Sequence, residues 1–323
     1  MHRYRVAVVR GGPSEEYDVS MMSGLGVLNA IDREHFEPID IVITKSGEWL
    51  YAGAIRFPEQ ILSHVDIVFI ALHGAYGEDG RIQRLLDRYQ VPYTGSKAYP
   101  SGIAINKVLT KDHLRDIGVK MPPHIVVSHD SKKNLHNMSE TITDLFGPQY
   151  VIKPVSSGSS VGTMMVKNPA LLPQALDDAL KVYDQVLVEK RIIGKEATGG
   201  VINRFRDEEL YALPPIEIIP PAHADFFDKD VKYNGTTEEV CPGNFSREEK
   251  REIERLSKAI HEHLNLSQYS RSDFMVAPDG VYFLEVNTLP GLTAESLFPK
   301  AMIAVGSTYE ELINHLLWDA LGR

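Results

Sequence analysis

The sequence predicts an α/β fold made of three packed units, and three observations lead to this. A chain of 323 residues is too long for one ordinary hydrophobic core. Over the first hundred residues short apolar runs alternate with amphipathic segments, which is typical of a parallel sheet with helices between its strands. The pattern changes to turn residues around Tyr93–Ser101, and a further set of strand-like runs begins at about residue 192. We therefore expect units at residues 1–97, 98–191 and 192–323.

The first unit is expected to resemble a Rossmann-like domain, with ligand groups in the loops that follow its strands. Ligands of open α/β sheets bind at the carboxyl ends of the strands. Two such loops are Gly11–Ser14 and His73–Gly80. The predicted strands are Val6–Val9, Ile39–Ile43 and Val65–Leu72, and the predicted helices are Met21–Ile31 and Arg81–Tyr89.

The second and third units continue the mixture of helices and strands. In the second unit we predict helices at Ile105–Ile117 and Leu171–Val182, and strands at Ile125–Val127, Tyr150–Val155 and Gln185–Lys190. In the third unit we predict strands near Thr198–Ile202, Ile216–Ile219, Asp273–Val276 and Val281–Val286. Residues 220–245 are rich in Pro, Asp, Gly and aromatic residues, and such long irregular segments are usually lids or disordered loops.

The composition narrows the class of protein. A formal net charge of −10 argues against a general binder of nucleic acids or membrane surfaces. No segment approaches the roughly 20 apolar residues of a membrane helix, so we expect a cytoplasmic protein. The single cysteine, Cys241, fits a reducing compartment. It is either a nucleophile or, as we favour, a small packed residue, because no activating partner is evident.

The segment from Ser272 to Asn287 carries the strongest local signal. Its Pro278-Asp279-Gly280 turn between two apolar runs predicts a β-hairpin. Alternation along the strands then puts Asp273, Glu285 and Asn287 on one face. Carboxylate and amide oxygens suit Mg²⁺, which is usually completed by phosphate oxygens and water. The alternative is a solvated hairpin face with incidental acids.

Two further segments favour nucleotide binding. Lys153 ends an apolar strand and is followed by a Gly/Ser-rich loop to Gly162, which supplies a cation, hydroxyls and backbone N–H groups for phosphate. The alternative is a flexible turn. Glu189 and Lys190 end another strand, and Glu196 follows; this strand and connector could bind adenine and ribose, although a Glu-Lys pair in this position is usually a solvated strand end.

These and other motifs, in their order along nearly the whole chain, resemble the D-alanine–D-alanine ligases of the ATP-grasp superfamily. The resemblance implies a three-domain ATP-grasp fold with an N-terminal parallel α/β domain. It also implies a lid at about 220–245. The motifs are Gly11–Glu16 with Val19-Ser20 and Ser23-Gly24, His73–Gly80, Tyr93–Ser96, Lys107, Lys153–Gly162, Lys232-Tyr233 and Arg271–Ser296.

The resemblance also implies a role for each matching residue. Glu16 would receive the ammonium of the first D-alanine, with His73 beside it, and Ser296 and Leu297 would form the site of the second substrate. Arg271 and the Gly291 N–H would stabilise the tetrahedral oxyanion. Ser159, Tyr233 and Glu16 would form a hydrogen-bonded trio. The implied ATP ligands are Lys107, Lys153, Ser160, Glu189, Lys190, Ile192, Glu196 and Lys232. The implied metal ligands are Asp273, Glu285 and Asn287, for Mg²⁺ or alternatively Mn²⁺.

The implied activity is ATP-dependent synthesis of D-alanyl-D-alanine for peptidoglycan through an acyl phosphate. The implied partners are small molecules, with no nucleic acid or membrane, in a homodimer. Ligation of D-lactate or D-serine is a near alternative, and a non-catalytic nucleotide-binding module a more distant one. The Lys232-Tyr233 pair favours an amine nucleophile. Three residues have a structural alternative. For His73 it is a histidine that only completes a turn, for Tyr233 an anchor of the lid, and for Arg271 a structural partner of Asp273.

Some positions depart from the family pattern. The usual Glu before Gly-Ser-Ser is Ser157, the Gln-Gly after the His73 loop is Gln83-Arg84, and the acid that often precedes the phosphate lysine is Asn106. None of these removes a metal ligand. Strict preference for D-alanine at the second site is the expectation they weaken most.

Overall fold

A computed structural model describes residues 3–156, 158, 162–221 and 237–323, and in these residues it contains three β-sheets. The mixed α/β class predicted from the sequence is confirmed. None of the helices within the described ranges combines the length and apolar character that a membrane crossing requires.

The first sheet has five strands in the order β4-β3-β2-β1-β5. Its buried centre, β2-β1-β5, is parallel, as expected from the apolar runs. Strands β3 and β4 are short and antiparallel, so the sheet is mixed and the expectation of a parallel sheet holds only for its centre. The elements are β1 (Tyr4–Gly11), α1 (Tyr17–Ala30), β2 (Phe36–Ile43), β3 (Trp49–Tyr51), β4 (Ala54–Arg56), α2 (Pro58–Leu62), β5 (Ile67–Ile70) and α3 (Arg81–Arg88).

The second sheet has four antiparallel strands in the order β6-β9-β7-β8. The single helix predicted at Ile105–Ile117 is wrong at its start, because two helices meet there. Asn106 ends the turn between them and caps the second, its side chain accepting from the N–H groups of Val108 and Leu109. The elements are α4 (Ala98–Ala104), α5 (Lys107–Arg115), β6 (His124–Ser128), α6 (Leu135–Phe146), β7 (Tyr150–Pro154), β8 (Met164–Val166), α7 (Leu172–Val182) and β9 (Gln185–Lys190), with 3-10 turns at His129–Asn134 and Pro169–Leu171.

The third sheet has the order β13-β12-β10-β14-β15, with β11 also paired to β10. Strand β13 lies within the segment predicted to be irregular, and residues 222–236 of that segment lie outside the described residues. The elements are β10 (Lys195–Phe205), β11 (Glu208–Ala212), β12 (Ile216–Ile219), β13 (Glu238–Val240), α8 (Arg247–His263), β14 (Tyr269–Ala277), β15 (Gly280–Asn287), α9 (Leu297–Ala304) and α10 (Tyr309–Ala320).

The hydrophobic cores tie these sheets together. The C-terminal helix α10 returns to the first sheet, where the Trp318 ring lies 4.7 Å from Phe36 and 6.0 Å from Tyr4 between centroids. Helix α5 packs into the core of the third sheet through Leu114, although it precedes the second sheet in the chain. The ends of α5, β9 and the β14–β15 hairpin consequently meet in one region.

Candidate active site

The β14–β15 hairpin brings the predicted metal ligands onto one face. Asp273 pairs directly with Glu285, and Arg271 pairs with Asn287, across the two strands. Both guanidinium contacts from Arg271 to the Asp273 carboxylate measure 2.8 Å, and Asn287 Nδ2 donates to Asp273 Oδ2 at 3.1 Å. Asp273 raises the pKa of Arg271 against the opposing effect of burial. Arg271 is therefore both a partner of Asp273, the alternative weighed above, and a cation at the candidate site.

Glu285 lies at the centre of this face and is bound by lysines. Lys107 Nζ lies 3.1 Å from Glu285 Oε2. Burial alone would raise the pKa of Glu285, but Lys107 and Lys153 outweigh it and hold the pKa at about 2. Two carboxylates and an amide on one face form a hard oxygen donor set, which fits Mg²⁺ or Mn²⁺.

A cavity of about 340 Å³ lies between the second and third sheets. Its lining combines lysine, arginine and carboxylate side chains with apolar ones such as Val151, Met165 and Leu284, a composition suited to a molecule with both charged and apolar parts. The predicted ATP ligands that line it are Lys153, Glu189, Lys190, Ile192 and Glu196, together with Arg271, Asp273 and Glu285 from the hairpin. Lys107 reaches this cluster through its contact with Glu285.

Glu189 is clamped between two lysines at the wall of this cavity. Lys153 Nζ lies 2.7 Å from its Oε2, and Lys111 Nζ lies 2.7 Å from its Oε1. Burial alone would raise the pKa of Glu189, but the two ammonium groups hold it at about 2. Lys111 was missed in the sequence; its only signal is that it follows Lys107 by four residues, which puts both on one face of a helix.

A second cavity, of about 660 Å³, lies between the first sheet and the hairpin. Arg271 and Leu297 line both cavities, so the two share a wall. The predicted catalytic and substrate-binding residues that line the second cavity are Glu16, His73, Arg271, Gly291, Ser296 and Leu297, and the predicted metal ligand Asn287 lines it too. The structure thus brings together residues that are up to 281 positions apart in the chain.

Glu16 is held at a crowded junction of loops. A β-carbon at Gly74 would lie 2.7 Å from Glu16 Oε2, and one at Gly158 would lie 2.9 Å from the same atom. Gly74 also has φ of +68°, a conformation that glycine adopts without strain. The loops after β5 and β7 therefore approach the Glu16 carboxylate closely, and a side chain at Gly74 or Gly158 would displace it.

His73 and Glu78 tie the first sheet to the loop after the hairpin. The His73 ring contacts Ser23 Oγ at 2.8 Å and the Leu289 carbonyl oxygen at 3.0 Å. Glu78 accepts hydrogen bonds from the N–H groups of Gly74 at 2.9 Å and of Thr288 and Leu289 at 3.2 Å each. His73 is thus a well-bonded histidine at the cavity wall.

Glu78 carries a perturbed ionisation. Its burial, followed by the nearby Glu16 carboxylate, raises its pKa from 4.5 to about 7, despite the opposing backbone N–H groups and Arg271. Glu78 belongs to the predicted His73–Gly80 motif, but no role was predicted for it. Its position in a Gly-rich loop after a buried strand could have marked it as a buried acceptor of backbone N–H groups.

The loop from Leu289 to Ser296 is internally bonded. Ser296 Oγ lies 3.1 Å from the Thr293 nitrogen, which donates to it, and 2.8 Å from Thr293 Oγ1. A β-carbon at Gly291 would come within 2.7 Å of Ser296 Oγ, so the loop needs glycine there. Tyr309 Oη donates to the Leu292 carbonyl at 2.6 Å, which attaches the loop to α10.

Four residues with predicted roles lie outside the described residues, and their roles stay predictions: Ser159, Ser160, Lys232 and Tyr233. Ser157, which departs from the family pattern, also lies outside them. Of the other departures, Asn106 serves as a helix cap, and Gln83 is buried with its amide donating to the Gly77 carbonyl at 2.7 Å. Cys241 is half-buried against the apolar core, and burial raises its pKa. This favours the packed-residue interpretation over a nucleophile.

The fold and the paired cavities define the class: this is an ATP-grasp enzyme. A family model described as D-ala D-ala ligase C-terminus matches residues 113–318, and one described as D-ala D-ala ligase N-terminus matches 5–61 and 55–96. The D-alanine–D-alanine ligase of Syntrophobacter fumaroxidans is 35% identical over 317 residues, covering 98% of this chain and 97% of the relative. The chain belongs to the D-alanine–D-alanine ligase family.

Solved structures agree with this assignment. The D-alanine–D-alanine ligase from Bacillus anthracis complexed with ATP matches with a TM-score of 0.81 and 30% identity, covering 98% of this chain and 97% of that one. The VanG D-Ala:D-Ser ligase from Enterococcus faecalis matches with a TM-score of 0.84 and 28% identity, covering 99% and 100%. The protein is thus an ATP-dependent ligase.

Proposed function

We propose that the protein joins two D-alanines into D-alanyl-D-alanine at the expense of ATP, in the cytoplasm, for peptidoglycan synthesis. The observation that carries this proposal is the shared wall between the two cavities. Arg271 lines both, beside the carboxylates of Asp273 and Glu285. Transfer of a phosphoryl group to a carboxylate requires the nucleotide tail and the acceptor to meet, and the shared wall supplies the meeting point.

On the nucleotide side, Lys153 and Lys107 would bind the phosphates, while Lys190, Ile192 and Glu196 would hold the base and sugar. Burial alone would lower the pKa of Lys153, but Glu189 and Glu285 outweigh it and raise the pKa. This lysine is therefore charged at neutral pH and fixed in place. A fixed cation stabilises developing phosphoryl charge without reorganising during the reaction. Ser160 and Lys232 are proposed to complete this side.

Asp273, Glu285 and Asn287 would hold Mg²⁺, with Mn²⁺ as the alternative ion. When bound, the ion would neutralise phosphate charge and polarise the transferred group. The chain's own contribution is the orientation of these three side chains. Asn287 Nδ2 and Arg271 both donate to the Asp273 carboxylate, which fixes its plane.

On the amino-acid side, Glu16 would bind the ammonium of the first D-alanine, whose carboxylate attacks the terminal phosphate of ATP. The acyl phosphate formed is then attacked by the amine of the second D-alanine, held at Ser296 and Leu297, and phosphate leaves. Arg271 and the Gly291 N–H would stabilise the oxyanion of that step. Ser159 and Tyr233 are proposed to act with Glu16, and His73 to position the first substrate.

A second candidate is a ligase that takes D-serine in the second position. It is favoured by the match of the whole chain to a structure whose name gives D-Ala:D-Ser ligase activity. D-Serine differs from D-alanine by one hydroxyl, which a pocket lined by polar groups such as Thr293 and Ser296 can accept.

The test is ADP release from Mg-ATP with D-alanine alone, then with D-alanine plus D-serine, D-lactate or L-alanine. D-Alanine-dependent release of ADP with formation of D-alanyl-D-alanine is the expected result. Faster mixed-dipeptide formation with D-serine would favour the second candidate. Absence of any D-alanine-dependent ADP would contradict both and favour a non-catalytic nucleotide-binding module.

The proposal includes the domain division at residues 97 and 191, so that 1–97, 98–191 and 192–323 are the pre-grasp, central and C-terminal domains. One sheet falls in each of these ranges, which supports this division.

The proposal also includes a lid at about 220–245 and a homodimer. Equilibrium sedimentation tests the homodimer, and a monomeric mass would contradict it.

A further inference from the structure

Lys111 is a fully buried lysine that the proposed reaction leaves without a role. None of its side chain is exposed, and its Nζ lies 2.7 Å from Glu189 Oε1. The described residues give this ammonium no second hydrogen-bond acceptor beside the Glu189 carboxylate. A buried ammonium with so few partners is costly, so its presence calls for an explanation.

The position of Lys111 suggests the explanation. Helix α5 begins with Lys107 and carries Lys111 one turn later, so both ammonium groups face the wall of the nucleotide cavity. Lys111 itself is not among the residues that line this cavity, so it acts at a distance from any nucleotide. Glu189, the ionic partner of Lys111 among the described residues, does line the cavity and holds Lys153 through its other oxygen.

The net charge of the trio Lys111, Glu189 and Lys153 determines the charge that the nucleotide phosphates encounter. Lys153 and Glu189 by themselves are a neutral pair, in which the carboxylate cancels the charge needed for phosphate. Lys111 balances Glu189 from behind, so that two ammonium groups and one carboxylate leave one net positive charge. Burial lowers the pKa of Lys111 and the Glu189 carboxylate opposes that shift.

We propose that Lys111 is a positioning residue that neutralises Glu189 from behind, so that Lys153 stays fixed yet keeps its charge for the phosphates of the nucleotide. Glu189 thus serves as a rigid bracket between two lysines. The inference rests on the proposed function only in taking this cavity as the nucleotide site. It assigns no contact between Lys111 and the nucleotide.

The experiment measures the binding of ADP with Mg²⁺ by calorimetry, which needs no turnover, for Lys111→Met, Glu189→Gln and the double variant. Methionine matches the length of lysine and suits a site beside the Phe283 ring, whose centroid is 5.9 Å from Lys111 Nζ. Arg115→Met removes a charge from the exposed end of the same helix and is the matched control.

We expect Lys111→Met to weaken ADP binding about 10-fold and Arg115→Met to leave it unchanged. The double variant restores the net charge of the trio but loses the bracket on Lys153, so its affinity should recover about 3-fold from that of Lys111→Met without reaching wild type. In Lys111→Met the KM for D-alanine at saturating ATP should stay unchanged, since Lys111 is remote from the second cavity. A purely structural role would instead disturb both substrates together.

Two results would overturn the proposal: ADP affinity in folded Lys111→Met equal to wild type, or a folded double variant as weak as the single one. If Lys111→Met does not fold, Glu189→Gln should bind ADP about 10-fold more tightly than the double variant; equal affinities would overturn the proposal. Failure of D-alanine-dependent turnover in the wild type would reject the proposed function, but ADP binding would still decide the role of Lys111.

Discussion

The two cavities are built on opposite electrostatic plans. On the nucleotide side, three carboxylates at the wall have a lysine or arginine against them: Glu189 between Lys111 and Lys153, Glu285 against Lys107, and Asp273 against Arg271. On the amino-acid side, burial and the nearby Glu16 carboxylate raise the pKa of Glu78.

The difference matches the charges that each side must accept. A triphosphate brings negative charge, and its site holds lysines against Glu189 and Glu285, whose pKa values are low. An amino acid brings an ammonium, so its site holds carboxylates whose mutual repulsion a cation relieves. Within the second cavity, whose lining also includes Arg271 and Lys300, the carboxylates of Glu16 and Glu78 are therefore the place where a bound ammonium is expected.

The largest effect is expected at the β14–β15 hairpin, which forms the wall between the two cavities. Glu285→Gln should lower kcat about 100-fold or more, because it weakens metal binding and frees Lys107 from its partner. The measurement is ADP release at saturating ATP and D-alanine over a range of Mg²⁺ concentrations. Asp279→Asn, in the exposed turn of the same hairpin, is the matched control and should keep wild-type turnover. Near-normal turnover of Glu285→Gln would refute the metal assignment.

The next effect concerns the pH dependence of stability. The pKa of Glu78 is raised from 4.5 to about 7, so between these values the folded protein holds a proton that the unfolded chain has lost. The free energy of unfolding therefore falls as pH rises from about 4.5 to about 7, by up to about 3 kcal/mol. Glu78→Gln should remove this pH dependence. The substitution also changes the hydrogen bond to Leu289, but that effect is the same at every pH.

The measurement is thermal unfolding of wild type and Glu78→Gln at pH 5 and pH 8, without nucleotide or metal. The wild type should lose more stability than the variant on going to pH 8. Equal losses would show that neither burial nor Glu16 raises the pKa of Glu78 in the folded protein, and the contrast between the two cavities would then weaken.

A third prediction tests whether the amino-acid side and the nucleotide side bind their substrates independently. Glu16→Gln should raise the KM for D-alanine at the first site about 10- to 30-fold, the effect of losing a charge-assisted hydrogen bond, and leave the KM for ATP unchanged. Initial rates over a grid of both substrates measure this. Asp18→Asn, on an exposed position of α1, is the control. An equal rise in the KM for ATP would mean that the sides are not independent.

The sequence predicts the nucleotide side better than the amino-acid side, and the reason is physical. Asp273, Glu285 and Asn287 belong to one hairpin, where strand alternation fixes which residues share a face. Glu78 instead acquires its character from Gly74 in its own loop and Leu289 more than 200 residues away. Such a contact leaves no periodic trace in the sequence.

Burial is the other property that the sequence leaves open. Lys111 reads as an ordinary exposed lysine of an amphipathic helix, because nothing in its neighbourhood marks it as different from Arg115. Only the packing of α5 into the core of the third sheet buries it. The parallel strands of the first sheet were predicted because burial on both faces produces continuous apolar runs. The short antiparallel strands β3 and β4 have no such runs and were missed.

The smallest expected effect distinguishes the two substrates within the amino-acid side. Ser296 Oγ bonds to the backbone and hydroxyl of Thr293, so Ser296→Ala loosens the loop and removes a hydroxyl from the proposed second site. A neutral hydrogen bond contributes about 1 kcal/mol, so the KM for the second D-alanine should rise about 5-fold. The KM for the first should not change. Ser307→Ala, whose hydroxyl bonds to Glu311 outside the cavity, is the control and should match wild type in both constants. If Ser296→Ala raised the first KM instead, the assignment of the two D-alanine positions would have to be exchanged.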